Sequence, residues 1–96
     1  MSSHDTRQFE KMSSQISSYI EGQIGLRSLI DDLLFLRDAL DEIDVDWETE
    51  FNGHILDLES AYVFALEKND GNLDSITLPI VEKAIEKLNQ LIPVIH

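Results

Sequence analysis

The stretch Leu26-Arg27-Ser28-Leu29-Ile30-Asp31-Asp32-Leu33-Leu34-Phe35-Leu36-Arg37-Asp38-Ala39-Leu40 sets leucine or isoleucine at positions 26, 29, 30, 33, 36 and 40. Steps of three and four residues bring these side chains onto one face of a helix. Leu34 falls on the flank of that face and Phe35 on the opposite one, near Asp31, Asp38 and Glu42. A stripe this regular needs a partner surface, so the chain is predicted to be all-α and to pack helix on helix.

The pattern predicts this helix over 26–43. Upstream, Phe9, Met12, Ile16, Tyr19 and Ile20 repeat the spacing and predict a helix over 6–21, with Ser2, Ser3, Asp5 and Thr6 as candidate N-caps. Gly22 suits a left-handed C-cap, and Ile24, between Gly22 and Gly25, is expected to tuck under the turn. Downstream, Ile43-Asp44-Val45-Asp46 breaks the period. Asp46 is the expected N-cap of a third helix over 46–68, where Glu48 and Glu50 suit the positive end of the dipole. Trp47, Phe51, Ile55, Leu58, Tyr62 and Ala65 face inward on it, but Leu56 and Val63 point nearly the other way. Phe64 lies to one side with Glu50, Gly53 and Asp57. A helix apolar on several sides is packed on several sides or covered by a partner. Gly53 inside it costs about 1 kcal/mol relative to Ala, which close approach of another backbone or a local kink would account for. Asn69-Asp70-Gly71-Asn72 is a turn. Ser75 or Thr77 is the expected cap of a last helix over 77–92, with Pro79 in its first turn and Pro93 ending it. Its apolar face is Ile80, Val81, Ala84, Ile85, Leu88, Leu91 and Ile92. One domain of 96 residues with four helices and short connections predicts a four-helix antiparallel (up-down) bundle.

Charge is segregated along this chain. Residues 38–67 hold ten acids (Asp38, Asp41, Glu42, Asp44, Asp46, Glu48, Glu50, Asp57, Glu59 and Glu67) and no Lys or Arg, against a formal net charge of −12 for the whole. Trp47, Phe51, Tyr62 and Phe64 lie among them. Nucleic acid and anionic membrane surfaces repel such a protein, since affinity for phosphate is built from Lys and Arg. A cationic partner is instead attracted and steered. Phe35 reads either as cover for a neighbouring loop or as an apolar anchor in a polar rim.

Catalytic and metal chemistry find little support. With no cysteine there is neither a disulfide framework nor a thiolate metal site. Asp44-Val45-Asp46-Trp47-Glu48 opens like a calcium loop, but Thr49 stands at the glycine position and Ile55 at the bidentate glutamate. His4, His54 and His96 are far apart, and His54 reads as a structural histidine at the edge of a buried face. No nucleophile elbow or phosphate loop is present, and nothing singles out a catalytic pair among so many carboxylates. The expectation is a non-enzyme with no cofactor or metal. The N-terminus lacks the pattern of a signal peptide, and no apolar run approaches the ~20 residues of a membrane span, so a cytoplasmic protein is expected.

The run Tyr19-Ile20-Glu21-Gly22-Gln23-Ile24-Gly25-Leu26…Leu29, the leucines that follow, Trp47…Phe51, and Leu58-Glu59-Ser60-Ala61-Tyr62…Ala65-Leu66 resemble small acidic helical bacterial immunity proteins of contact-dependent growth inhibition and other polymorphic toxin systems. The resemblance spans about residues 16–67, and its motifs are largely bundle-core spacing. The pattern of the colicin nuclease immunity proteins is not matched, though size, helicity and acidity are similar. What the resemblance implies is a cytosolic antidote that binds one cognate toxin domain, often a nuclease, and blocks it without catalytic residues of its own. The expected partner-binding residues are Phe35, Asp38, Asp41, Glu42, Asp44, Asp46, Glu48, Glu50, Asp57 and Phe64, with Trp47 and Tyr62 facing the core. Two alternatives are a homodimer meeting through Leu56, Val63 and Phe64, and a DNA-mimic inhibitor of a DNA-binding protein.

Overall fold

Helix-period stripes become four helices in the computed structural model, which describes residues 3–70 and 72–92: α1 (Ser3–Ile20), α2 (Leu26–Asp38), α3 (Val45–Asn69) and α4 (Thr77–Leu91). There is no strand among the described residues. Pro93, expected to end α4, lies outside them, as do Ser2, Gly71 and His96. None of the helices is long and apolar enough to cross a membrane. The core is the one the periodicity points to: Phe9, Met12 and Ile16 from α1, Leu29, Leu33 and Leu36 from α2, Phe51, Ile55 and Leu58 from α3, and Val81, Ile85 and Leu88 from α4 are all buried. The α3–α4 and α1–α2 pairs pack most extensively, α2 meets α3 less, and α1 meets α4 least.

Helix ends follow local chemistry where that chemistry is available. At Gly22 (φ +79°) the chain turns left-handed. The Gly22 and Gln23 N–H groups return to the carbonyls of Tyr19 and Ser18 at 3.0 and 2.8 Å, the paired bonds that close a Schellman motif. Asp70 (φ 55°) plays the corresponding part after α3, its N–H reaching the Ala65 carbonyl.

Several boundaries differ from the sequence expectation. The capping position of α3 is Asp44, so Asp46 falls inside the first turn with Glu48. Neither Ser75 nor Thr77 is the residue that caps α4. Asp74 Oδ1 accepts the N–H groups of Ile76 and Thr77 at 2.9 and 2.8 Å, while the Asp74 N–H donates to Thr77 Oγ1. This is a capping box with Thr in the place usually held by Glu, and the Leu78 N–H bond to the Asp74 carbonyl completes it. The Thr77 N–H, with that of Ile76, holds the Asp74 carboxyl below its ordinary value.

Two positions assigned to the apolar face of their helices, Ile20 and Ile80, are exposed instead. They sit at the edge of stripes that four helices of this size do not enclose. Close approach of another part of the chain does not explain Gly53, because a Cβ there would meet nothing within 4 Å. The largest departure is the end of α2, at Asp38 rather than Ile43.

Candidate functional site

That early end builds the acidic surface. After Asp38 the Ala39 and Leu40 N–H groups close onto the carbonyls of Leu36 and Arg37 at 3.2 and 3.1 Å, the tighter bonding of a final turn. The next two donors leave the helix. Asp41 and Glu42 give their N–H groups to the two carboxylate oxygens of Asp5, at 2.7 and 2.8 Å. His4, beside it, donates from Nε2 to the Ala39 carbonyl at 2.6 Å, as a carbonyl can only accept. The chain is already helical at Ser3, ahead of the expected Thr6. The first turn of α1 supplies the groups that hold the connection between α2 and α3.

Asp5 is fully buried. The Asp41 N–H lowers its carboxyl below the ordinary value, with help from the Glu42 N–H and the charge of His4 and against the opposing effect of burial. A buried carboxylate fixed by backbone donors is a clamp on the loop. His4, Asp5 and Asp41 also bring their ligand-type atoms within 4.8 Å of one another, although Asp41 is far in sequence from the adjacent His4 and Asp5. Both Asp5 oxygens and His4 Nε2 are engaged with the backbone, so the cluster shapes the loop.

Clamped in this way, the connection exposes Asp41, Glu42 and Asp44, and the first two turns of α3 expose Asp46, Glu48 and Glu50. These six carboxylates form one continuous segment with no base. Asp38, just before them, is also exposed but is paired within the chain: Arg37 donates to its Oδ1 from Nε and Nη2 at 3.1 and 2.8 Å. Arg37 Nη1 reaches Asn52 Oδ1 on α3 at 2.6 Å, tying the end of α2 to α3. A window beginning at residue 38 misses this arginine by one position.

The predicted aromatics separate. Phe35 is 74% exposed, three residues before the end of α2 at Asp38. Phe64 is less exposed and lies about 27 Å along α3 from Asp46, beside Leu56, Val63, Glu59 and Glu67. Asp57 falls between the two groups. Of the ten expected residues, Asp41, Glu42, Asp44, Asp46, Glu48 and Glu50 are exposed on one stretch of chain, Phe35 and Asp38 lie in the last turns of the helix before it, and Asp57 and Phe64 lie further along α3. Trp47 belongs to the packing: it stacks on Phe51 (centroids 4.8 Å, 17°), meets Phe9 edge-on (5.6 Å, 75°) and donates from Nε1 to the Leu91 carbonyl at 2.9 Å. Tyr62 is half-buried against the core.

The sequence offers Asp5 as a candidate N-cap and His4 only as an isolated histidine, and does not foresee their hold on the loop, since a helix-capping residue and a buried loop clamp look alike in sequence. The chain matches no known protein family, no curated protein and no solved structure.

Proposed function

We propose that this protein is a cytoplasmic antidote: an up-down antiparallel bundle, without catalytic activity, that binds a cationic toxin domain, a nuclease, and covers its substrate cleft. The observation that carries the reading is the clamped, base-free segment of exposed Asp41, Glu42, Asp44, Asp46, Glu48 and Glu50, preceded by an exposed Phe35 in the last turn of α2. Carboxylates on a rigid loop can occupy positions that phosphates take in a nuclease cleft, and an aromatic ring can take the place of a base. Fixing the loop before binding reduces the ordering cost of association. Asp38 contributes less, being paired with Arg37. Most single rim acids are worth about 0–1 kcal/mol, whereas one buried against a partner's Arg or Lys costs about 2–5 kcal/mol when truncated.

The test is co-purification from the native host, with mass spectrometry and a salt titration of the complex. The expected result is one basic toxin domain, bound 1:1 and released faster as salt rises. A self-associated species alone, indifferent to salt, refutes the proposal.

The exposure of Leu56, Val63 and Phe64 favours a second reading, a homodimer through α3. Glu59 and Glu67 on the same strip oppose it, because symmetry sets like charges against each other.

A further inference from the structure

α1 and α4 approach each other only slightly, and between them lies a groove of about 740 Å³. Its walls are Tyr19, Ile20 and Ile24 from the end of α1 and the turn after it, and Leu78, Val81 and Ile85 from α4. Val81 and Ile85 belong to the core and form the floor, whereas Ile20 and Leu78 remain 64% and 42% exposed. The α4 residues of the lining run from Leu78 to Gln90, about 18 Å of helix, or three turns. Tyr19 lies 14 residues from Asp5, so the groove is about 21 Å along α1 from the clamped acidic loop. It is a separate surface.

Its charged lining has one sign. Glu82 and Glu86 line it and no Lys or Arg does, Lys83 and Lys87 of α4 lying outside the lining. The phenol of Tyr19 is pushed up by burial and then by the charge of Glu82, as expected of a ring half-covered beside that carboxylate. An apolar floor three turns long with carboxylates along it suits an amphipathic helix, which lays its i, i+3, i+4 and i+7 side chains into such a groove. Flanking Lys or Arg residues would then meet Glu82 and Glu86.

We propose that the α1–α4 groove is a docking site for an amphipathic, Lys- or Arg-flanked helix of a partner protein, which packs between Ile20 and Leu78 as a fifth helix. A second copy of this chain is disfavoured as occupant, because two molecules of net charge −12 repel. The site stands apart from the acidic loop and does not depend on what binds there.

The test titrates the full chain into a labelled synthetic helical peptide of about 14 residues, with Leu at helix-face spacing and Lys on both flanks. A matched peptide carries Glu in place of Lys. We expect the Lys peptide to bind at least about tenfold tighter than the Glu peptide, and more weakly as salt rises. Ile20→Asn with Leu78→Asn should weaken it about tenfold. Glu82→Gln with Glu86→Gln should weaken it and flatten the salt dependence. Asp41→Asn with Glu42→Gln and Asp44→Asn, which discharges the other surface, should change affinity by no more than about twofold. Circular dichroism melting checks that each variant is folded; if the Ile20/Leu78 pair is not, the exposed Glu82/Glu86 pair carries the test. Equal binding of both peptides overturns the proposal, as does loss of binding with the loop variant but not the groove variants. A wild-type dimer that the groove substitutions dissociate also overturns it.

Discussion

Replacing Gly53 by Ala isolates one physical quantity in this protein. Gly53 lies in the interior of α3, eight residues from its start at Val45, on an exposed part of the helix. Its φ is not positive, since Gly22 is the one glycine so described, and an added Cβ would meet nothing within 4 Å. The substitution therefore creates no clash, relieves no strain and buries no new surface. What remains is the difference in helix propensity, about 0.8–1.0 kcal/mol in favour of Ala, because Gly loses more backbone freedom on folding. For a domain of this size each kcal/mol moves the melting temperature by about 4–8 °C, so a rise of about 3–8 °C is expected. Urea denaturation followed by circular dichroism should show a higher midpoint with an unchanged slope. An unchanged or lowered midpoint would refute the reasoning, and would mean that α3 is not a regular, uncovered helix at this point.

Three further outcomes follow from the same contacts. Trp47→Phe removes the Nε1 bond to the Leu91 carbonyl and part of the ring stacked on Phe51, and should cost about 1–2 kcal/mol in the same urea assay; no loss would mean Trp47 is not part of the packing. The Asp5 and Asp74 carboxyls are both held below the ordinary 3.8. Their stabilisation is therefore complete above that value and lost as pH falls through the lowered one, so thermal melts should weaken below about pH 4. Asp74→Asn should make that acid loss shallower. Added salt should raise the melting temperature of the isolated chain, because a net charge of −12 repels itself and ion pairs such as Arg27–Asp31 and Arg37–Asp38 are worth little. A salt-induced fall would show that attractive pairs dominate.

Much of the fold was legible in the sequence because it depends on neighbours three and four residues away. The stripes Phe9-Met12-Ile16, Leu29-Leu33-Leu36 and Phe51-Ile55-Leu58 are buried as their period requires. Gly22 adopts the left-handed turn that only its missing side chain makes easy. The exposure of the ten acids over residues 38–67 was equally legible, since a carboxylate stays in water unless the fold supplies it with donors, as it does for buried Asp5. Ile20 and Ile80 were misread because a stripe's outermost position is buried or exposed according to how closely the next helix approaches, a distance that helical phase does not contain.

The sequence alone determined which segments are helical and which face of each turns inward, because both are properties of a few consecutive residues. Only the tertiary structure decided where α2 stops, since the Asp41 and Glu42 N–H groups find their acceptor in Asp5, 36 and 37 residues away. It alone left α1 and α4 apart, opening the groove between Ile20 and Leu78. A backbone donor takes whichever acceptor the fold brings within reach, and an apolar side chain is covered only if another element arrives. Both depend on the packing of the whole chain.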